Sequence, residues 1–187
     1  MMINFKTASI EELKIEYKRL AKLVGDMPFG TKKEFYHLPA ILADDETPLA
    51  VASGLMGGNT WLITLTNYRI IFLDKGMVYG LKQVSVDLAG VVSVSGRTKM
   101  MTGSITLSTA GQNYTIENVM KGAVTPFTNM VNIARDNLGK QPDLRQAASA
   151  RPQYDVITQL EKLAALKERG ILSDQEFSVQ KEKILAM

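Results

Sequence analysis

Residues 52–76 read ASGLMGGNTWLITLTNYRIIFLDKG. Trp61, Ile63 and Leu65 recur at a spacing of two, which predicts a strand with one buried face. RIIFLD at 69–74 is apolar almost throughout and rich in β-branched residues, which predicts a further strand. The turn-forming stretches GGN at 57–59, TN at 66–67 and KG at 75–76 separate these runs, so the segment predicts consecutive short antiparallel strands.

The same pattern continues downstream. Val84 and Val86 alternate, as do Val92 and Val94, Ile105 and Leu107, and Tyr114 and Ile116. Turn signals at 89–90, 102–103 and 110–113 divide these runs. With PLAVASG at 48–54 as the first strand, seven short strands are expected, which suits a small barrel or sandwich. The period then changes. Thr125 is read as an N-cap with Pro126 at the first helical position. Phe127, Met130, Val131, Ala134 and Leu138 make one apolar stripe that Gly139 would end. Such a helix would close the open end of a curved sheet and bury its stripe there.

Before the strands, Ser9 and Glu12 have the spacing of a capping box. Ile10, Leu13, Tyr17, Leu20 and Val24 follow at steps of three and four, up to Gly25. Thr31 and Glu34 repeat the box ahead of Phe35 and Leu38, and Pro39 interrupts that helix. The expected class is α+β: a seven-stranded antiparallel barrel or sandwich with a C-terminal capping helix, N-terminal helices and a C-terminal two-helix hairpin. The expected divisions are 1–43 for the N-terminal helices packing on the body, 44–139 for the strand domain, 140–153 for a linker and 154–187 for the hairpin. The linker, KQPDLRQAASARPQ, is polar and aperiodic.

The hairpin is the most closely specified segment. Asp155 can cap a first helix that carries Leu160 and Leu163, and Gly170 ends it. Ser173 and Glu176 form another capping box, with Leu172 and Phe177 at staple positions. Leu160, Leu163, Ile171, Leu172, Phe177 and Ile184 are expected to form one apolar surface. A unit of about 35 residues buries too little to stand alone, so the surface must be covered by a second copy, the strand domain or a partner.

Two resemblances follow from these residues. Glu46, Gly54, Leu65, Thr66, Asn67, Arg69 and Phe72, with the closing hairpin GSITLSTAGQNYTIENV, resemble the bacterial pleckstrin-homology-like (PH-like) domains of the YokE type. That resemblance implies a fold and carries no chemistry of its own. Leu160, Leu163, Leu166, Gly170, Ile171, Leu172, Ser173, Glu176, Phe177, Lys181 and Leu185 resemble the short C-terminal (SHOCT) module, which implies oligomerisation or partner docking.

Composition narrows the function. The 187 residues are 45% hydrophobic and 22% charged, and 22 Lys and Arg against 19 Asp and Glu leave a net charge of +3. That charge falls short of a nucleic-acid footprint. The absence of cysteine excludes disulfides, Cys-type zinc sites and thiol catalysis. It fits a cytoplasmic protein. The N-terminus lacks the apolar core of a signal peptide, and no run approaches the ~20 apolar residues of a membrane span. GLMGGNT at 54–60 lacks the Lys-Ser/Thr of a phosphate loop and reads as a hairpin turn. Residues 55–68 contain no Lys or Arg, so specific phosphoinositide binding is not expected there; Lys75, Lys82, Arg97, Lys99 and Lys121 are scattered over other turns. His37 stands alone among potential metal ligands of its type and reads as structural. Asp44, Asp45 and Glu46 read as a turn cap. No catalytic residue, metal or cofactor is expected. Met100 and Met101, flanked by Arg97 and Lys99 at a hairpin tip, are candidate loop contacts.

The expected function is a non-enzymatic protein-interaction module of bacterial or phage type. A homo-oligomer, a protein partner or both would be its associations, with no nucleic acid. The alternative is a peripheral membrane module that reads anionic lipid through the strand domain and makes weak membrane contact.

Overall fold

The computed structural model describes residues 3–75 and 80–140, together with Phe177, Ser178 and Lys181. Three helices come first: α1 (Ile10–Val24), α2 (Lys32–Phe35) and α3 (Leu38–Ile41). Seven strands follow: β1 (Pro48–Met56), β2 (Asn59–Thr66), β3 (Arg69–Lys75), β4 (Leu81–Asp87), β5 (Val91–Thr98), β6 (Thr102–Thr109) and β7 (Asn113–Met120). Helix α4 (Lys121–Lys140) continues directly from β7.

The strand order is β4-β3-β2-β1-β7-β6-β5, antiparallel throughout. The two edge strands, β4 and β5, are not joined, so the expected barrel is an open sandwich. Its halves, β1–β4 and β5–β7, meet at a single pair, Leu55 and Glu117. Gly54 makes this crossing feasible. A Cβ there would lie 2.4 Å from the Ile116 Cγ2 and 2.7 Å from the Glu117 carbonyl oxygen.

Period-two alternation sorts the side chains of β1–β3 into two cores. Ala50, Ala52, Trp61, Ile63, Leu65, Ile70 and Phe72 join Ile105, Leu107 and Ile116 between the half-sheets, where α4 adds Ala123, Val124, Phe127, Val131, Ala134 and Leu138. Phe72 stacks on Tyr114 across this core at 5.8 Å. Val51, Leu62, Ile71 and Leu73 face the other way. They are covered by Phe5, Leu13, Tyr17, Leu20, Ala21, Phe35, Leu38 and Leu42. The unbroken apolar run of β3 follows from this double cover.

The capping box of α1 forms as expected. The Glu12 backbone N–H donates to the Ser9 Oγ, and the Ser9 backbone N–H donates to the Glu12 carboxylate. Ile10 departs from the expected stripe: it is exposed at the first residue of the helix, ahead of the packed section that starts at Leu13. The second box does not form, because both of its members have tertiary partners. Thr31 Oγ1 pairs with the Tyr17 hydroxyl at 2.7 Å, and Glu34 Oε1 accepts the Lys75 N–H at 3.0 Å.

Two further expectations change. Val92 is exposed and does not share an inner face with Val94. Between Val91 and Ser93 the register slips by one residue against β6, which makes Val92 the extra residue of a bulge and turns Val91 inward instead. The last helix begins at Lys121, not at a cap on Thr125, so Pro126 lies inside it. Burial of Ala123 and Val124 draws the first turn of α4 into the core. The proline forfeits one helical bond, to the carbonyl four residues earlier. The helix also runs through Gly139, which does not adopt positive φ.

Candidate interaction surfaces

The acidic turn 44–46 is more than a cap. The Glu46 side chain is wholly buried and pairs with Arg69, whose side chain is 14% exposed. Arg69 donates from Nε to Oε1 at 2.8 Å and from Nη2 to Oε2 at 2.9 Å, a two-pronged geometry that fixes both planes. Thr66 Oγ1 also donates to Glu46 Oε1, the Ala43 N–H donates to Oε2, and Arg69 Nη2 donates to the Ile41 carbonyl. Beside this pair, the Thr47 N–H donates to Asn67 Oδ1, Asn67 Nδ2 donates to the Asp45 carbonyl, and the Tyr68 hydroxyl donates to the Asp45 carboxylate. The network clamps the end of α3 to the β2–β3 turn. Burial pushes the Glu46 carboxyl up, but the Arg69 hydrogen bonds and charge, with the Ala43 N–H and Thr66 hydroxyl, outweigh it and hold the group below its ordinary range. Of the positions that carry the PH-like resemblance, Glu46, Thr66, Asn67 and Arg69 are thus members of a structural clasp.

The β5–β6 turn presents the candidate loop contacts together. Met100 is 88% and Met101 79% exposed, with Arg97 and Lys99 exposed beside them. The Lys99 N–H closes the turn on the Thr102 carbonyl at 2.7 Å. Gly96 and Gly103 bring the base of this hairpin against Val124 of α4: a Cβ at either would lie 2.5 Å or 2.7 Å from a Val124 methyl. The methionine pair therefore sits on a braced hairpin and does not fold back onto the sandwich.

Of the hairpin residues, Phe177 is described and is helical and half-buried, with Ser178 and Lys181 helical and exposed. Leu160, Leu163, Ile171, Leu172 and Ile184, and the 140–153 linker beyond Lys140, lie outside the described residues.

A surface not anticipated from the sequence lies along α1. The buried Tyr17 and Ala21 line a groove of about 460 Å³ together with Lys14, Lys18, Lys22 and Lys32. The signal was present as lysines at steps of four from 14 to 22, one face of a helix. Its floor polar groups are already used. Burial pushes the Tyr17 hydroxyl up to about 12, and that hydroxyl pairs with Thr31. Asp26, raised chiefly by burial, accepts the Ser53 N–H at 2.8 Å.

His37 is half-buried at the start of α3. Among the described residues no three His, Cys, Asp or Glu side chains cluster as metal ligands, and no helix is long and apolar enough to cross a membrane.

Residues 42–133 match the family model described as Bacterial PH domain, and residues 158–185 match that of the Short C-terminal domain. Two solved structures are similar. One is a DUF1696 family protein with a pleckstrin-homology domain from Shewanella loihica PV-4, at 20% identity and TM-score 0.38, covering 64% of this chain and 96% of that one. The other is a pleckstrin homology domain from Shewanella amazonensis SB2B, at 21% identity and TM-score 0.41, covering 60% and 94%. No curated protein matches the chain.

Proposed function

We propose that this chain, a bacterial PH domain followed by a short C-terminal domain, is a non-enzymatic interaction protein of the cytoplasm. In this reading 1–43 supports the strand domain, 44–139 presents a protein-binding surface that includes the β5–β6 tip, 140–153 is a tether, and 154–187 self-associates or docks on a partner. The observation that carries the reading is the joining of two family-matched segments, 42–133 and 158–185, in one chain. Linking weak sites through a self-associating module raises their effective concentration without new contacts. The chemistry of the described residues agrees, since Glu46 and Asp26, the buried carboxylates with shifted protonation, are both engaged in structural hydrogen bonds. Reading of lipid headgroups through the first hairpin is disfavoured, because β2 and the turns on either side of it offer no cation between 55 and 68.

Deletion of 152–187 tests the proposal. The truncated chain is expected to show a lower mass per assembly by light scattering while keeping its β-rich circular dichroism. Phe177→Asp should act in the same direction, because it removes a large apolar contact and places a charge at a half-buried position, typically a loss of several kcal/mol. An unchanged mass for the deletion variant would exclude self-association through this segment.

A further inference from the structure

We propose that the outer face of α1, with the segment 26–33 that returns beside it, is a seat for an anionic lipid bilayer. The inference concerns residues that lie ahead of the family-matched segment and does not depend on the protein-interaction reading.

The charge distribution supports it first. Between Leu13 and Lys33 the chain carries six cations, Lys14, Lys18, Arg19, Lys22, Lys32 and Lys33, all exposed. The two carboxylates in that span, Glu16 and Asp26, are buried. Glu16 pairs with Arg19 and Asp26 with Ser53. Lys18, Lys22, Lys32 and Lys33 have no carboxylate partner within 4.0 Å among the described residues. Lys14, Lys18, Lys22 and Lys32 line one groove together, and of these Lys14 pairs with the exposed Glu11. Four to eight such cations are what an anionic leaflet attracts.

Apolar groups stand among these cations. Phe29 is 88% exposed, Met27 75% and Ile15 67%. The groove between α1 and the return segment is lined by the buried Tyr17 and Ala21 and by the half-buried Pro28. Cations at the rim with aromatic and aliphatic tips between them is the pattern of an interfacial segment: the cations meet phosphates while the tips enter the headgroup–acyl boundary.

The same geometry argues against a protein occupant. A pocket that orients one defined ligand does so through a small number of precisely placed polar groups. Here the floor groups face inward: the Tyr17 hydroxyl is taken by Thr31 and the Asp26 carboxylate by Ser53. What remains is charge and apolar surface without a fixed hydrogen-bond pattern, which suits a fluid surface of laterally mobile phosphates.

The test uses the full chain with vesicles of phosphatidylglycerol in phosphatidylcholine, against phosphatidylcholine alone. Retention is expected on the anionic vesicles only. It should fall steeply from about 0.1 M to about 1 M salt, as the screening length shortens from ~10 Å to ~3 Å. Lys18→Glu with Lys22→Glu should reduce partitioning at least about thirtyfold, since one cation near an anionic surface is worth about fivefold. Both side chains are exposed, so circular dichroism should be unchanged. Phe29→Trp gives an independent readout against the buried Trp61. Its emission should shift to the blue on anionic vesicles and be quenched by brominated acyl chains. Equal retention on neutral vesicles, wild-type retention of the double variant, or an unshifted Phe29→Trp spectrum would each overturn the proposal. So would binding to polyglutamate without retention on anionic vesicles, which would assign the face to an acidic protein.

Discussion

Gly54→Val is expected to destabilise the strand domain severely. The valine Cβ alone would fall 2.4 Å from the Ile116 Cγ2 and 2.7 Å from the Glu117 carbonyl oxygen. Side chains can rotate away, but the carbonyl is backbone and belongs to the one residue pair that joins the half-sheets. Relief requires β1 and β7 to separate where the sandwich is stitched. Overpacking commonly costs 1–3 kcal/mol, and an immovable neighbour puts this site at about 3 kcal/mol or more, a large part of the 5–15 kcal/mol available to a domain. Thermal unfolding followed by circular dichroism should show a midpoint lowered by roughly 10 °C or more, or no transition. Gly57→Ala is the control. Gly57 has φ 59° and nothing within 4 Å of a new Cβ, so the change should cost only the ~1–2 kcal/mol of left-handed backbone. Equal losses at the two sites would mean that close approach is not the reason for Gly54.

The second large effect lies at the clasp. Glu46→Ala leaves the Arg69 guanidinium mostly buried without its carboxylate, and breaking a buried pair on one side typically costs about 3–5 kcal/mol. Replacing Glu46 and Arg69 together by Met should cost less than Glu46→Met and Arg69→Met summed, because neither charge is then stranded. Denaturant titration of the four proteins measures this coupling. The pH dependence has a definite sign. Glu46 titrates below its ordinary 4.5 in the folded chain, so the stability it contributes is present above that value and is lost as pH falls through the lower folded value. Asp26 is raised above 3.8, so its contribution runs the other way: present below 3.8 and lost as pH rises through its raised value. Glu46→Gln should therefore flatten the acid limb of the stability curve, and Asp26→Asn should steepen it. An acid limb unchanged by Glu46→Gln would remove Glu46 from the account.

The elements that were legible in the sequence are those in which local pattern and tertiary burial agree. Trp61, Ile63 and Leu65 alternate and do face one core. The continuous run of β3 marks a strand, and the structure supplies the reason for its unbroken apolarity: its residues divide between two cores. Val92 was misread because a bulge shifts register by one residue, and period-two reading has no way to register an inserted residue. Pro126 was misread because first-turn preference is weaker than the burial of Ala123 and Val124. Glu46 and Arg69 are 23 positions apart; only the fold brings them together, so from sequence alone the three acids read as a turn cap. The basic face of α1 was visible as spacing but was diluted in the net charge of +3. Its meaning depends on Glu16 and Asp26 being buried, which no count of charges reveals.

The double cover of β1–β3 has a kinetic consequence. Amide protons of Leu62, Ile63, Ile70, Ile71 and Phe72 lie between two apolar layers, so solvent reaches them only when the helices α1–α3 or the opposing half-sheet have detached. Strand β5 has no such second layer: it is an edge strand with Val92, Ser93, Ser95, Gly96, Arg97 and Thr98 exposed. Deuterium uptake should therefore be graded across the fold. Strands β2 and β3 should exchange only through global unfolding, whereas β5 should exchange through local fraying at much lower free energy. The slow zone would coincide with the clasp at its Thr66–Arg69 end, and the fast zone with the hairpin that carries Met100 and Met101. The protein would thus keep its most protected amides away from the methionine tip.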